Sequence, residues 1–274
     1  LDNVIRAWNV SSAAPVRTFV GHQGWVTAIA ISNDGRLLLS GSFDHTARLW
    51  DLETGRCLLT LAGHADEVSA VAIEASGRWG VSGGYDNAAR VWDLTTGQCL
   101  RVLEGHTNWV TAVALGLSSR GAVSGSYDAT VRVWDAPTGR SIRVLEGHEG
   151  RVTAVALTAD VRRAITGGAD GALRLWDVAE GTCLARLAGH TGEVLAVALT
   201  PDGRFAVSGG ADRTLRVWDT ARARCLRTLE GHALGANAVA LGPNASIAVS
   251  GSLDRSIRVW QVRSLAHEPF SAPP

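Results

Sequence analysis

The strongest constraint on the fold is a repeat of 42 residues that keeps its register through almost the whole chain. A Gly-His pair recurs at this spacing, with its histidine at His22, His64, His106, His148, His190 and His232. A tryptophan recurs at the same spacing, at Trp8, Trp50, Trp92, Trp134, Trp176, Trp218 and Trp260. A chain that repeats in register builds copies of one supersecondary unit, and each copy completes its core against its neighbours.

Each unit reads as a series of short strands. In residues 56–93, β-branched and apolar runs at Val68–Ile73, Trp79–Ser82 and Ala88–Trp92 are separated by glycine-containing turns. Turn residues every 8–12 positions between short apolar runs favour antiparallel meanders over βαβ units. Because no window has a sustained apolar period of 3.6 residues, we expect essentially no helix.

The spacing from Gly-His to Trp-Asp closely resembles the WD-repeat family, and the resemblance covers residues 1–262. It implies an all-β propeller in which four-stranded antiparallel blades stack radially, with each repeat supplying the outer strand of one blade and the inner three strands of the next. It also implies that the repeated polar residues are structural and that partners dock on the narrow face around a central channel.

The number of blades follows from a strand count that leaves two solutions open. Residues 1–20 match the end of a repeat, since Asp2, Trp8 and Val16–Val20 align with the turn aspartate, the tryptophan and the outer strand. The count gives 25 strands, three fewer than seven blades need and one more than six need. We expect a seven-bladed ring whose first blade is incomplete, with about 28 residues missing at its N-terminus. The alternative is a six-bladed ring closed by Val16–Val20 pairing with the last unit.

The domain organisation expected from this count has three parts. Residues 1–20 form a partial blade made of the last two strands of a repeat, residues 21–262 form six tandem repeats, and residues 263–274 form a tail.

Four polar positions recur within each unit: a histidine, a serine or threonine, an aspartate and the tryptophan. The six sets are His22, Ser40, Asp44, Trp50; His64, Ser82, Asp86, Trp92; His106, Ser124, Asp128, Trp134; His148, Thr166, Asp170, Trp176; His190, Ser208, Asp212, Trp218; and His232, Ser250, Asp254, Trp260. Such sets could be read as hydrolase triads. Six equivalent copies without an oxyanion hole or nucleophile elbow instead favour a structural relay that satisfies buried groups. We therefore expect no catalytic residues.

Other repeated side chains do not suggest a cofactor. The histidines belong to different blades and have no second ligand at metal-binding spacing, so we expect no metal and no cofactor. Cys57, Cys99, Cys183 and Cys225 occupy one repeat position in separate blades, about 17 Å apart between neighbours by strand-spacing geometry, so they should remain free thiols in a reducing compartment. An arginine two residues before each tryptophan should be framework, paired with a carboxylate.

Function should lie where the repeats differ. In the resembled family the third and fifth residues after the histidine and the residue before the turn aspartate face the narrow rim. In the first three repeats these positions hold five aromatic side chains, and charged residues stand nearby. The predicted partner-binding residues are Trp25, Phe43, Glu67, Tyr85, Trp109, Tyr127 and Arg151. Rigid aromatic side chains grouped in one sector are typical of binding hot spots.

The sequence thus predicts a non-catalytic scaffold or sensor that binds a protein or peptide in the cytoplasm, as the interaction module of a larger bacterial signalling protein. The 26 basic and 26 acidic residues balance, which argues against nucleic acid or anionic membranes as partners. A small ligand or sugar in the central channel is the alternative, and a hydrolase is the least favoured. The oligomeric state is left open.

Overall fold

A computed structural model describes residues 3–116, 121–242 and 246–262, and every regular element in these ranges is a β-strand. The expectations for Leu1, Asp2 and the tail 263–274 lie outside the described residues. Within the described part, no helix is long and apolar enough to span a membrane.

The strands form seven antiparallel sheets in chain order. The first is a two-stranded sheet of β1 (Val4–Asn9) and β2 (Ala14–Val20). Five four-stranded sheets follow: β3 (Val26–Ile31), β4 (Leu37–Ser42), β5 (Thr46–Asp51), β6 (Cys57–Ala62); β7 (Val68–Ile73), β8 (Trp79–Gly84), β9 (Ala89–Asp93), β10 (Cys99–Leu103); β11 (Val110–Leu115), β12 (Gly121–Ser126), β13 (Val131–Asp135), β14 (Arg140–Leu145); β15 (Val152–Leu157), β16 (Arg163–Gly168), β17 (Ala172–Asp177), β18 (Thr182–Ala188); and β19 (Val194–Leu199), β20 (Phe205–Gly210), β21 (Leu215–Asp219), β22 (Arg224–Leu229). The last sheet has three strands, β23 (Ala236–Leu241), β24 (Ile247–Ser252) and β25 (Ile257–Gln261).

The chain therefore folds as an all-β propeller of six blades, which we number 1 to 6 from the blade of β3–β6 to the sheet of β23–β25. The predicted seven-bladed ring is wrong, and six blades match the alternative. That alternative erred in how the ring closes. β2 does not pair with β25 but forms a hairpin with β1, in which Val4 lies opposite Val20. A hairpin partner only four residues away along the chain competes successfully with a distant strand.

The core lies between blades, and it explains why tryptophan recurs. Trp92 of blade 2 packs with Leu39 and Leu49 of blade 1 and with Val68 and Val71 of its own blade. The same arrangement buries Trp50, Trp134, Trp176 and Trp218, so that each of these five indoles is about 1% exposed. Stacked faces of neighbouring sheets thus provide the burial that a single four-stranded sheet lacks.

The ends of the array are less well covered. Trp8 of β1 is 47% exposed, and its indole makes no hydrogen bond within the described residues. Ile257 and Val259 on β25 are also exposed, whereas the corresponding Leu215 and Val217 on β21 are fully buried. Inter-blade packing therefore weakens at the first sheet and at the last.

The inner strands of all six blades, together with Val4, Ile5 and Arg6 of β1, line a central channel of about 820 Å³. The chain enters each blade at this channel and moves outward strand by strand. The loop after the Gly-His pair and the turn between the second and third strands consequently meet at one rim of the channel, where the predicted binding residues lie.

Candidate binding site: a row of aromatic side chains on the channel rim

Two rim positions in each blade are joined by a main-chain hydrogen bond. The N–H of Phe43 donates to the carbonyl oxygen of Trp25 at 2.9 Å, and the N–H of Tyr127 donates to that of Trp109 at 2.9 Å. The same bond joins the corresponding pairs of the other four blades: Glu67 and Tyr85, Arg151 and Ala169, Glu193 and Ala211, and Gly235 and Leu253. The backbone thus presents two side chains per blade side by side on the rim.

The five rim aromatics form one continuous row across blades 1 to 3. The ring centroids lie 5.5 Å apart from Trp25 to Phe43 and 6.3 Å from Phe43 to Tyr85. Tyr85 stacks on Trp109 at 4.3 Å with an interplanar angle of 13°, and Trp109 lies 5.2 Å from Tyr127. These separations fall in or close to the range in which aromatic pairs attract one another. We call these five side chains the aromatic row.

The row is stiff but open to solvent. Trp25 is 48% exposed and Trp109 is 39% exposed, while Phe43, Tyr85 and Tyr127 are half-buried. Ring–ring contacts fix the side chains before any partner arrives, which lowers the entropic cost of binding. The remaining exposed ring surface is the kind of apolar patch that a partner covers.

The row ends at a charged pair in blades 4 and 5. The guanidinium carbon of Arg151 lies 5.1 Å from the centre of the Tyr127 ring. The same guanidinium donates from Nε and Nη2 to the two carboxylate oxygens of Glu193, at 2.7 and 2.6 Å. The hydrogen bonds from Glu193 raise the pKa of Arg151 above its ordinary value. The cation at this end is therefore held by the protein's own carboxylate.

Glu67 lies within the aromatic sector and, in contrast to Glu193, has no cationic partner among the described residues. Its side chain is half-buried and makes no hydrogen bond or ion pair with any residue that the structure describes. The pKa of the neighbouring Tyr85 is raised, first by burial and then by electrostatic interactions with Tyr127, Glu67 and Asp66. The structure thus brings together all seven predicted binding residues along one side of the rim.

The six polar sets form six hydrogen-bonded relays. In blade 1, the indole Nε1–H of Trp50 donates to Ser40 Oγ at 2.8 Å, and Ser40 Oγ lies 2.7 Å from Nε2 of His22. Nδ1 of His22 lies 2.8 Å from a carboxylate oxygen of Asp44. The other five blades repeat the first two distances, and the histidine–aspartate distance stays between 2.8 and 3.2 Å.

Sheet register explains why the tryptophan and the hydroxyl meet. Ser40 lies opposite Arg48, and Leu38 lies opposite Trp50. Trp50 and Ser40 therefore occupy diagonal positions on one face of the sheet, within reach of a long side chain. The histidine arrives from the loop before the first strand, and the aspartate arrives from the turn between β4 and β5.

Burial sets the protonation state of the relays. It lowers the pKa of four of the histidines, His22, His106, His148 and His190, so each is neutral at pH 7. A neutral imidazole accepts at Nε2 from the hydroxyl and donates from Nδ1 to the aspartate. Burial opposes ionisation of Asp44, but hydrogen bonds from Thr46, from the N–H of Gln23 and from His22 lower its pKa to about 2.

The arginine before each tryptophan has two different roles. In blades 2 and 4, Arg90 and Arg174 bind the turn aspartates Asp86 and Asp170, at 2.6 and 2.5 Å. In those blades the residue two positions after the aspartate is alanine. In blades 1, 3, 5 and 6 a threonine or serine at that position donates its hydroxyl to the aspartate instead. The expected pairing with a carboxylate is wrong for Arg48, Arg132 and Arg216, whose buried Nε finds no hydrogen-bond partner.

The relay hydroxyls are poorly placed for catalysis. Ser40, Ser82, Ser208 and Thr166 are completely buried, and each already contacts both an indole and an imidazole. Such an oxygen is not accessible to a substrate carbonyl. Among the described residues, no group of three or more His, Cys, Asp or Glu side chains is arranged to hold a metal ion.

The sequence analysis assigned the fifth residue after the histidine to the rim, but the structure gives it another partner. The sheet register shifts at this residue in every inner strand, so Thr27 lies in a β-bulge between Val26 and Ala28. The bulge directs the Thr27 hydroxyl to the carbonyl oxygen of Val68 in the next blade. Ser69, Thr111 and Thr153 make the equivalent bond to Val110, Val152 and Val194. Leu195 and Asn237 have no hydroxyl, and the signal in the sequence was the serine or threonine that recurs at this position in the first four repeats.

Comparison with known families agrees with the propeller fold and with the repeated Trp-Asp geometry. The model of the WD domain, G-beta repeat family matches the chain six times, at residues 13–51, 55–93, 97–135, 139–177, 181–219 and 223–261. These matches span well over half of the chain, and the protein belongs to the WD-repeat family. Propellers of this family are generally scaffolds for protein interaction. No curated protein matches the chain.

Proposed function

We propose that the protein is a non-catalytic platform that binds an apolar peptide segment of a partner protein along the aromatic row. The observation that supports this most directly is the continuity of the row. Five rings occupy one sector of the rim, while blades 4 to 6 present Ala169, Ala211, Gly235 and Leu253 at the same positions. A framework role alone gives no reason for such an asymmetry, because the rim backbone is bonded identically in all six blades.

The relays have a supporting role in this proposal. Six buried hydrogen-bonded sets stiffen the blades, so that the rim keeps its geometry without a ligand. A rigid platform that presents preorganised rings is an economical design for recognition. Within this proposal none of the relay serines acts as a nucleophile.

A small ligand in the channel is less well supported. The channel wall is mostly valine, alanine and isoleucine, and the hydroxyls of Ser69, Thr111 and Thr153 on it already bind main-chain carbonyls. Sugars need many free hydrogen-bonding groups. We also propose a cytoplasmic location and a place in a larger signalling protein, and the four free cysteines, three of them exposed, support the reducing compartment.

The test uses a library of random decapeptides displayed on phage. The protein is compared with a rim variant, Trp25→Ala/Tyr85→Ala/Trp109→Ala, and with a control variant, Leu58→Ala/Ile142→Ala/Leu184→Ala. The three control side chains are as exposed as Trp25, at 48, 49 and 51%, but they lie on outer strands. Both variants must first show the circular dichroism spectrum and cooperative melting of the parent.

We expect peptides to be enriched by the parent and by the control variant, and not by the rim variant. Loss of three central aromatic contacts should weaken binding at least about 100-fold, since each hot-spot residue contributes about 1–2 kcal/mol or more. Equal enrichment by the parent and the rim variant would refute the proposal, because binding would then depend on another surface.

A further inference from the structure

Glu67 stands at a rim position that holds a tryptophan in both neighbouring blades. The third residue after the histidine is Trp25 in blade 1, Glu67 in blade 2 and Trp109 in blade 3. Its main-chain carbonyl is bonded to the N–H of Tyr85, so the carboxylate projects from a residue directly beside that ring. A half-buried carboxylate beside an aromatic ring is costly unless a cation or a hydrogen-bond donor meets it.

The protein itself demonstrates what satisfies a carboxylate at this position. Glu193 is the equivalent residue of blade 5, and it receives two hydrogen bonds from the guanidinium of Arg151. That guanidinium also lies over the ring of Tyr127. A planar cation that contacts an aromatic ring and a carboxylate together is therefore an arrangement that this rim supports.

Around Glu67 the ring and the carboxylate are present, but no residue that the structure describes supplies a cation. Neither Glu67 nor Asp66 forms an ion pair with any described residue. Arg151 lies one blade before Glu193. At the same repeat position one blade before Glu67, the chain has Trp25 instead of a cation. The negative charge of Glu67 and Asp66 is strong enough at Tyr85 to contribute to the raised pKa of that phenol. The middle of the aromatic row, in blade 2, is thus both negatively charged and rich in π surface, which attracts cations.

We propose that Glu67 binds an arginine side chain of the docked peptide, with the guanidinium stacked on an adjacent ring of the aromatic row. Arginine fits better than lysine because its planar fork can bind a carboxylate through two hydrogen bonds and stack on a ring at the same time. The inference rests on the proposed function and sharpens it. The partner segment is apolar and carries one arginine that faces blade 2.

The test measures how much the positive charge of the peptide contributes to its affinity, and whether that contribution depends on Glu67. Three probe peptides share the sequence acetyl-Pro-Leu-X-Leu-Pro-amide, in which X is arginine, its uncharged analogue citrulline, or norleucine. Their affinities are measured by tryptophan fluorescence titration at low ionic strength, against the parent, Glu67→Gln and Glu149→Gln. Glu149 is the matched control, because it is an exposed glutamate in the corresponding loop of blade 4 and is not one of the predicted binding residues.

For the parent and for Glu149→Gln, we expect the arginine peptide to bind about fivefold to tenfold more tightly than the citrulline peptide. In Glu67→Gln this ratio should fall close to one, while the norleucine peptide keeps its affinity. Raising the salt concentration should reduce the ratio in the parent and leave it unchanged in Glu67→Gln.

Two results would overturn the inference. One is an arginine peptide that binds the parent no more tightly than the citrulline peptide, or not at all up to about 1 mM. The other is an arginine preference that survives in Glu67→Gln. If the rim variant Trp25→Ala/Tyr85→Ala/Trp109→Ala loses all three probe peptides while Glu67→Gln changes no ratio, the aromatic row binds peptides without reading charge. The proposed function would then stand and only the arginine assignment would fail.

Discussion

The relay of blade 4 gives a sharp test of the view that the repeated hydroxyls are structural. Thr166 is completely buried, and its oxygen lies 2.7 Å from Nε2 of His148 and 2.8 Å from Nε1 of Trp176. Thr166→Val keeps the volume and the branching but removes the hydroxyl. It leaves one buried donor and one buried acceptor without partners, and each such group costs about 1–3 kcal/mol. We therefore expect the free energy of unfolding to fall by about 2–6 kcal/mol.

The same position provides its own control. Thr166→Ser keeps both hydrogen bonds and removes one buried methyl group, at a cost of about 1 kcal/mol. Urea unfolding followed by far-ultraviolet circular dichroism gives both free energies, and hydrogen exchange of the Trp176 indole N–H reports directly on the relay. If Thr166→Val were as stable as Thr166→Ser, with unchanged indole exchange, the hydroxyl would not support the blade and the structural interpretation would be refuted.

Three further predictions follow from the differences between blades. Leu195→Thr should restore the inter-blade hydrogen bond to the carbonyl of Ala236. Its free energy of unfolding in urea should therefore exceed that of Leu195→Val by about 0.5–1.5 kcal/mol. Equal free energies for the two variants would contradict the role of the bulge hydroxyl. Arg90→Ala should destabilise the protein by about 1–2 kcal/mol more than Arg48→Ala, since only Arg90 binds its turn aspartate, and the same urea assay would detect a reversed order. The melting temperature should fall as the pH drops below about 6.5. The four relay histidines of lowered pKa are then protonated in the unfolded chain but stay neutral in the folded protein. The melting temperature should fall again below about pH 4, where unfolded carboxylates are protonated while Asp44, Asp128 and Asp170, with a pKa of about 2, stay charged. A melting temperature that stays constant from about pH 7 to 5 would contradict the first of these losses.

Much of the fold could be predicted from the sequence because the repeat imposes it. Each strand of the repeat and each relay member recurs at least six times, so one correct alignment places all of them. The number of blades could not be predicted in this way, since it depends on which strand covers an open edge. β2 was expected either in an incomplete blade or against the last unit, and the local hairpin with β1 decided its place.

The site was only partly accessible to the same reasoning. The rim positions of Trp25, Tyr85 and Trp109 were predicted from a family resemblance. Which of these rings contact one another depends on how the blades curve around the channel. Sequence separation gives no measure of that curvature. The role of Thr27 was missed for a related reason, because a β-bulge changes the direction of one side chain without altering the strand pattern around it.

At the rim, main-chain hydrogen bonds maintain the fold, and the side chains are the groups available to contact a partner. The geometry of the rim comes from a main-chain hydrogen bond between two residues of each blade, and the bond forms equally between Trp109 and Tyr127 or between Gly235 and Leu253. Side chains at these positions can therefore change without removing a backbone contact, whereas a change in a relay leaves buried groups unpaired. Because the fold does not require aromatic rings there, their concentration in three adjacent blades supports the proposed binding role.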